Sequence, residues 1–214
     1  MAYEGFDPDG DPVAPLAVKL LIAGGFGVGK TTLVRAVTEI KSLHTEEYIS
    51  SRGAEADRLF GVEDKQTTTV ALDFGRITID DEIVLYLFGM PGQERFWFMW
   101  HELGYGATGV VILADTRRLA DCFTAVDYFE LRNIPFIVAI NSFDGAPRFH
   151  AEELRAALDL DPHVPLVTCD ARDRTSCRDV LLALIAHLRR LQEGTRQANG
   201  SPANQPPFRS ALHP

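Results

Sequence analysis

The sequence has little cysteine, no excess of basic residues and no long apolar run. Its 214 residues include 3 cysteines, too few for a disulfide scaffold, so we interpret all of them as reduced packing residues of a cytosolic protein. Lys and Arg number 21 against 30 Asp and Glu, and the resulting net charge of −9 repels phosphate backbones, which argues against general nucleic-acid binding. No apolar run approaches the roughly 20 residues that span a bilayer.

Targeting signals are also missing from the sequence. Its first eleven residues carry four acids and no base, whereas a signal peptide needs a positive start followed by an apolar run. Residue 2 is Ala2 and not the glycine that myristoylation requires, and the last four residues hold no cysteine for prenylation. We therefore predict a cytoplasmic protein without a direct membrane anchor of its own.

Composition divides the chain into one domain and two tails. Residues 1–15 are acidic and rich in Gly, Pro and Asp, and residues 194–214 are rich in Gly, Pro, Asn and Gln. Neither segment can bury enough apolar surface to order itself, so we predict that both are disordered. The range 16–193 between them is long enough to bury a core and is predicted to form a single domain.

Within that domain, short apolar runs alternate with amphipathic stretches. Short apolar runs indicate buried strands and a spacing of three or four residues indicates helices, so the alternation predicts an α/β domain with a mostly parallel sheet. The β-rich runs 69–79 and 83–88 flank three acids, which predicts a hairpin that adds one antiparallel strand. Further strands are predicted at 16–23, 110–114, 136–140 and 164–168, and helices at 31–40, 119–133 and 180–188.

The strongest motif is an eight-residue run that fits G-x-x-x-x-G-K-[ST] between a predicted strand and a predicted helix. Its glycines let backbone N–H groups curl around an anion, and the helix start adds a positive dipole end. Lys30 is expected to reach the β- and γ-phosphates, and the Thr31 hydroxyl to bind Mg²⁺. By itself the motif distinguishes neither ATP from GTP nor a kinase from a switch. The predicted phosphate-binding residues are Gly24, Gly25, Phe26, Gly27, Val28, Gly29, Lys30, Thr31 and Thr32.

Further segments follow in the order found in Ras-like small GTPases. Residues 69–74 (TVALDF) resemble the end of switch I, and residues 89–96 (GMPGQERF) resemble the D-x-x-G-Q-E-R-F of switch II. Residues 141–144 (NSFD) resemble the guanine-reading N-K-x-D, and residues 169–172 (CDAR) fall where the S-A-K loop would be. The resemblance implies a three-layer P-loop NTPase fold of the small G-protein type, with a mostly parallel six-stranded sheet and one antiparallel strand.

One subgroup of these GTPases resembles the sequence most. Residues 24–37, 85–93 and 115–123 (DTRRLADCF) are similar to the small GTPases of actinobacterial conservon operons, which are relatives of the motility switch MglA. In that family the GTPase works beside a roadblock-domain protein and a membrane sensor-kinase-like protein. The resemblance therefore implies a roadblock-domain regulator, and peripheral recruitment to a membrane complex through partners.

The resemblance also implies roles at the phosphate end of the site. Gln93 is expected to orient the attacking water, since its amide both donates and accepts hydrogen bonds. The Thr69 hydroxyl would bind Mg²⁺ together with Thr31, and the Thr69 N–H would bind the γ-phosphate. Residues 67–68 are also threonines, so this register stays open by one. The Gly92 N–H would bind the γ-phosphate, and a small residue there lets the loop approach.

At the other end, the resemblance implies a guanine site and hence GTP and GDP as ligands. Asp144 would accept hydrogen bonds from guanine N1–H and N2–H₂, a pair that adenine cannot make. Asn141 would tie the phosphate loop to the base-reading loop, and the Ala171 N–H would bind guanine O6. Ser142 stands where a lysine usually packs across the base, and Arg172 could stack on guanine instead.

Two departures leave the function open between two classes. Gly89 stands where small GTPases usually carry the Asp that holds a water of the Mg²⁺ shell, and no arginine directly precedes Thr69. The main hypothesis is a Mg²⁺-dependent switch that hydrolyses GTP slowly without a partner. The alternative is a pseudo-GTPase scaffold that hydrolyses nothing useful, which Gly89 and Ser142 favour and Gln93 opposes. A P-loop kinase would need an arginine-rich lid, which the sequence does not indicate.

Five large apolar residues in succession, 96–100 (FWFMW), follow the switch II motif. A helix cannot bury all five on one face, so some of them should be exposed. Because aromatic anchors dominate interface energetics, we predict that Trp97 and Trp100 form a partner surface.

Overall fold

The computed structural model describes residues 14–40, 43–49 and 68–198, with side chains left out for 43–49, 68–71 and 198. Most of the two predicted tails lies outside these ranges. The last helix runs through Ala198, past the predicted domain end at 193, so residues 194–198 continue a helix. None of the helices in the described part of the chain combines the length and the apolar character needed to cross a bilayer.

A seven-stranded sheet forms the centre of the described structure. Its strand order is β2-β3-β4-β1-β5-β6-β7, and β3 runs opposite to the other strands. The predicted hairpin is formed by β3 and β4, and the predicted three-layer α/β fold is confirmed. The strands are β1 Leu16–Gly24, β2 Leu43–Ile49, β3 Thr68–Thr78, β4 Ile83–Gly89, β5 Gly109–Ala114, β6 Phe136–Asn141 and β7 Leu166–Cys169.

The edge strand β2 adds one strand to the six that were predicted. Its sequence, LHTEEYI, is too polar for the apolar pattern of a buried strand. It is held through its backbone along β3, with Leu43 paired to Phe74 and Ile49 paired to Thr68. A strand whose sequence is this polar carries little apolar signal, so the pattern of apolar runs does not reveal it.

Helices cover both faces of the sheet and make the two outer layers. Helices α1 and α5 pack on one face, while α2, α3 and α4 lie on the other. Helix α4 was not predicted, and the predicted helix 119–133 is split into a 3₁₀ turn and α3. The helices are α1 Lys30–Val37, α2 Trp100–Gly104, α3 Phe123–Leu131, α4 Ala151–Ala157 and α5 Arg174–Ala198, with 3₁₀ turns at Glu94–Met99 and Leu119–Cys122.

The central strand β1 shows why its sequence is apolar almost throughout. Leu20 and Ile22 pack with α1 and α5, whereas Leu21 and Ala23 pack with residues of α2 and α3, and all four side chains are fully buried. A parallel strand covered on both faces has no solvent side and therefore no alternation of polar and apolar residues.

Strands β1, β4, β5, β6 and β7 run in the same direction, so the loops that follow them meet at one edge of the sheet. In such folds, ligands bind at this edge, beside the point where the strand order reverses.

Candidate functional site

The loop between β1 and α1 has a backbone that requires glycine at several positions. Gly24, Gly27 and Gly29 have φ angles of 127°, 74° and 107°, which side-chain-bearing residues rarely adopt. A Cβ at Gly24 would also lie 2.2 Å from the Leu113 carbonyl oxygen of β5. The glycines therefore allow the loop to curl at the start of α1, which leaves the backbone N–H groups of the helix start available to an anion.

Lys30 is the first residue of α1, and its side chain reaches back into this loop. Its Nζ donates to the carbonyl oxygens of Gly24 at 2.9 Å and of Gly25 at 2.6 Å. Burial lowers the pKa of Lys30 to about 8, and the nearby Asp73 carboxylate acts against that shift. Gly92 closes over the same place, because a Cβ there would come within 2.6 Å of Lys30 Nζ. The structure therefore brings together the lysine predicted to bind phosphate and the predicted switch II glycine.

Asp73 is a functional candidate that sequence reasoning missed. It lies on β3 directly opposite Gly89 of β4, and its side chain is 8% exposed. The Thr31 hydroxyl donates to Asp73 Oδ2. A Cβ at Gly89 would lie 2.9 Å from Asp73 Cβ, so glycine at position 89 makes room for the carboxylate of the neighbouring strand. The carboxylate that Gly89 lacks is thus present in the site, from a different strand.

The Asp73 position had one signal in the sequence. It is an acid flanked by Leu72 and Phe74 within an apolar β-rich run, and buried acids occur mainly where they have a partner. That signal does not say which residue of another strand it faces. Only the β3–β4 register pairs it with Gly89.

A cleft of about 410 Å³ lies between the phosphate loop and the switch II segment. Its lining brings together most of the predicted phosphate-end residues, with Asp73 and Arg95 in addition. Gln93 has an extended backbone just before the 3₁₀ turn, and its carbonyl accepts the Phe96 N–H at 3.0 Å. The lining includes Phe26, Gly27, Gly29, Lys30, Thr31, Thr32, Asp73, Gly89, Gly92, Gln93 and Arg95.

The oxygen atoms in this cleft suit Mg²⁺. A hydroxyl that donates its hydrogen to Asp73 keeps its oxygen lone pairs available for a cation, and Asp73 supplies a buried carboxylate beside it. Mg²⁺ prefers oxygen ligands and is commonly held by one or two protein groups together with substrate phosphates and waters. Within the described ranges no cluster of three or more His, Cys, Asp or Glu side chains forms a separate metal site.

The predicted switch I residue Thr69 lies on β3, where its backbone pairs with Tyr48 of β2. Its side chain belongs to the residues whose side chains are not described, and residue 67 lies outside the described ranges. The predicted contacts of Thr69 with Mg²⁺ and the γ-phosphate therefore stay predictions.

Asn141 joins three loops at the base end of the site. It is 4% exposed at the end of β6, and its Nδ2 donates to the Val28 carbonyl oxygen at 2.8 Å. Its Oδ1 accepts the Ala171 N–H at 2.9 Å. The phosphate loop is thereby linked to the loop after β6, which is predicted to read the base, and to the loop after β7. The Ala171 N–H, expected to bind guanine O6, is engaged by Asn141 in this structure.

Asp144 and Arg172 form an ion pair where the sequence predicted a stacking arginine. The pair is bidentate, with Arg172 Nη1 and Nη2 donating to the Asp144 carboxylate at 3.1 and 3.3 Å. Asp170 holds the other edge of the guanidinium, and Asp170 and Asp144 together raise the pKa of Arg172. The Asp144 side chain is 89% exposed, so a base can reach it. Ser142, two residues before Asp144, is exposed.

The prediction that Trp97 and Trp100 form a partner surface is wrong for Trp100. Its side chain is 3% exposed, its Nε1 donates to the Pro91 carbonyl oxygen at 3.0 Å, and its ring packs against Tyr128 and Phe129 of α3. A polar partner for the indole N–H makes this burial favourable. Trp97 is half-buried against Trp100. The exposed aromatic of the run is Phe98, at 63%.

Two curated proteins are similar in sequence. MJ1339, an uncharacterized protein of Methanocaldococcus jannaschii, is 32% identical over 130 residues, which cover 59% of this chain and 71% of that protein. ADP-ribosylation factor-like protein 3 of Saccharomyces cerevisiae is 24% identical over 143 residues, which cover 64% of this chain and 65% of that protein.

Solved structures of one transporter share the fold. The G domain of the T. maritima FeoB iron transporter has a TM-score of 0.56 and 19% identity, over 80% of this chain and 99% of that one. The cytosolic domain of the same transporter in a GDP form has a TM-score of 0.58 and 17% identity, over 82% of this chain and 65% of that one. The fold is that of a P-loop GTPase, and the closer resemblance to conservon GTPases stays a prediction.

A family model described as "Conserved hypothetical ATP binding protein" matches residues 22–190. The match begins near the end of β1, includes the phosphate loop, the cleft and the loops after β6 and β7, and ends in α5. The chain therefore belongs to this family of conserved hypothetical ATP-binding proteins.

Proposed function

We propose that the chain is a guanine-nucleotide-binding molecular switch that hydrolyses GTP slowly to GDP. One observation carries this proposal: Asn141 donates to the Val28 carbonyl of the phosphate loop and accepts the Ala171 N–H of the loop after β7. Lys30 lies two residues after Val28, and Asp144 three residues after Asn141. The link fixes these loops relative to one another, as suits a ligand with phosphates at one end and a base at the other.

The choice of guanine rests on Asp144. An exposed carboxylate at the edge of the site complements the N1–H and N2–H₂ donors of guanine, whereas adenine offers no matching pair. The GDP form of the FeoB cytosolic domain supports guanine in a related fold, while the description of the family names ATP. ATP is therefore the rival ligand, and the Arg172 guanidinium on Asp144 favours it, because guanine must displace that guanidinium.

In the proposed mechanism, Lys30 and the N–H groups of the phosphate loop bind the phosphates, and Gly92 lets switch II approach them. Thr31 and Asp73 would hold Mg²⁺, which when bound neutralises charge on the β- and γ-phosphates. Gln93 orients the attacking water from the wall of the cleft. Loss of the γ-phosphate would release Gly92 and, as proposed from the sequence, Thr69, so that the switch segments relax.

We further propose that a roadblock-domain protein accelerates hydrolysis and that a membrane sensor-kinase-like complex recruits the chain peripherally. The support is the sequence resemblance, together with Phe98, which is exposed and follows the cleft residue Arg95 by three positions in the sequence. A partner that grips Phe98 would be adjacent to the residues that orient the water.

Nucleotide competition tests this proposal. The protein is loaded with fluorescent mant-GDP and displaced with unlabelled GTP, GDP or ATP. We expect the guanine nucleotides to compete at least about tenfold better than ATP, or roughly 1.4 kcal/mol. Asp144→Asn should reduce the preference, because an amide presents a donor to a donor. Equal competition by ATP and GTP in the parent protein overturns the guanine proposal and leaves the phosphate site intact.

A further inference from the structure

The loop between β5 and α3, residues 115–122, contacts both halves of the nucleotide site. Topology places it there, because β5 lies in the sheet between β1, which leads to the phosphate loop, and β6, which leads to the base-reading loop. The loop lies outside the set of residues that line the cleft. The mechanism above gives it no role, although its sequence DTRRLAD is one of the segments on which the resemblance depends.

On the phosphate side, Arg118 and Asp121 hold the loop apex. Arg118 Nη2 donates to the Phe26 carbonyl oxygen at 2.9 Å, and Arg118 Nη1 lies 3.5 Å from Asp121 Oδ2. Asp121 packs against Gly25, where a Cβ would lie 2.6 Å from Asp121 Cβ. The glycine at position 25 thus serves this contact as well as the curl of the phosphate loop.

On the base side, Arg117 and Thr116 hold residues of the 141–147 segment. The Arg117 guanidinium carbon lies 3.9 Å from the centre of the Phe143 ring, and the Thr116 hydroxyl donates to the Pro147 carbonyl oxygen at 2.7 Å. Asp115, which is 3% exposed, fixes Arg117 by accepting from its Nε at 2.9 Å and its Nη2 at 2.7 Å. These bonds lower the pKa of Asp115, so the pair stays charged over the ordinary pH range.

We infer that Arg117 and Arg118 are positioning residues, which brace the phosphate loop against the base-reading loop and set the rate of nucleotide release. The brace runs from Phe26 through Arg118 and Arg117 to Phe143. A bound nucleotide contacts both of these loops, so release requires them to separate, and the brace opposes that separation. This inference rests on the proposed nucleotide site and adds a control of its release.

The brace is accessible from outside. The side chains of Arg117 and Arg118 are 43% and 49% exposed, although each is fixed at its guanidinium. A partner with a carboxylate placed at Arg118 would compete with the Phe26 carbonyl and open the phosphate side. Exchange of nucleotide could thus be stimulated away from the cleft itself.

Release kinetics of Arg118→Ala test the brace. The full chain is loaded with mant-GDP, or with mant-ADP if competition shows that adenine binds, and chased with excess unlabelled nucleotide. Arg118→Ala should speed release about fivefold, or ~1 kcal/mol. The release rate of Arg118→Lys should lie between those of the parent and of Arg118→Ala, because an ammonium can still donate to the Phe26 carbonyl. Arg190→Ala is the matched control, since Arg190 also donates to a carbonyl, on the distant helix α5, and should leave release unchanged.

A second readout separates the brace from the nucleotide proposal. Hydrogen exchange of the phosphate-loop amides in the nucleotide-free protein should be faster in Arg118→Ala than in the parent, while the two proteins unfold at the same urea concentration, as is usual for surface substitutions. Failure of every nucleotide to bind contradicts the proposed function and leaves this readout to decide. Unchanged release together with unchanged exchange in a folded Arg118→Ala overturns the brace.

Discussion

Asp73 of β3 lies directly across the strand pair from Gly89 of β4 and accepts a hydrogen bond from the Thr31 hydroxyl. Asp73 therefore places a carboxylate, from the neighbouring strand, opposite the position where the switch II motif lacks one. In the proposed function this carboxylate answers the argument from Gly89 for a pseudo-GTPase scaffold, and the argument from Ser142 remains.

Asp73→Asn should weaken Mg²⁺ binding. The amide keeps the shape and the contact with Thr31 but removes the negative charge, and changes to groups that orient metal ligands typically cost about 10–100-fold in metal affinity. The measurement is a Mg²⁺ titration of mant-GDP release. Asp127→Asn on the exposed face of α3 is the matched control, and equal Mg²⁺ dependence in the two variants would count against the role of Asp73.

A carboxylate placed at position 89, where other small GTPases carry an Asp, should partly compensate for the loss of the Asp73 carboxylate in Mg²⁺ binding. Gly89→Asp alone is expected to lose about 1–3 kcal/mol of stability, because its Cβ would lie 2.9 Å from Asp73 Cβ. The double variant Asp73→Gly with Gly89→Asp removes the Asp73 Cβ and with it that conflict. It should depend on Mg²⁺ more strongly than Asp73→Gly alone. If the two are equal, the positions are not interchangeable and the replacement argument is wrong.

Nucleotide affinity should fall above pH 8. Burial lowers the pKa of Lys30 to about 8, and phosphates bind the protonated ammonium, so affinity is flat below that pH and declines above it by up to about tenfold per pH unit. Dissociation constants for mant-GDP from pH 7 to 9.5 check this. Lys30→Arg should bind without that decline, since a guanidinium stays protonated. A dissociation constant of the parent that stays constant from pH 7 to 9.5 would contradict this role of the Lys30 ammonium.

Substitution of Phe98 should affect partner binding, whereas substitution of Trp100 should affect folding. Phe98→Ala is expected to change the free energy of unfolding by less than about 0.5 kcal/mol and to remove partner-stimulated hydrolysis, because the side chain is 63% exposed. Trp100→Ala should cost about 3–5 kcal/mol, because it empties a buried site. Urea unfolding and hydrolysis with the roadblock-domain partner measure the two effects. Full stimulation of Phe98→Ala by the partner would place the contact elsewhere.

The phosphate end of the site could largely be predicted from the sequence. The positive φ angles at Gly24, Gly27 and Gly29 favour glycine, so the glycines in the sequence already indicate this backbone conformation. The positions of the buried strands along the chain could also be predicted, because strands that are covered on both faces are apolar runs.

Contacts between distant segments could not be predicted in this way. The partner of Asp73 depends on the register of β3 against β4, and the edge strand β2 depends on backbone pairing without an apolar signal. Burial of Trp100 depends on a carbonyl, that of Pro91, which satisfies its indole N–H. Each of these is a property of the folded backbone and not of residue type or spacing.

Single-turnover hydrolysis of GTP by the parent protein and by Gln93→Leu, with Mg²⁺ and without a partner, tests the account most directly. We expect slow turnover by the parent, on the order of 10⁻⁴ s⁻¹ as in switches without an activator. Gln93→Leu should lose most of that rate and still bind GTP, because the leucine cannot orient the attacking water. Absence of turnover over hours in both proteins, even after addition of the partner, would contradict the account and leave a nucleotide-binding scaffold.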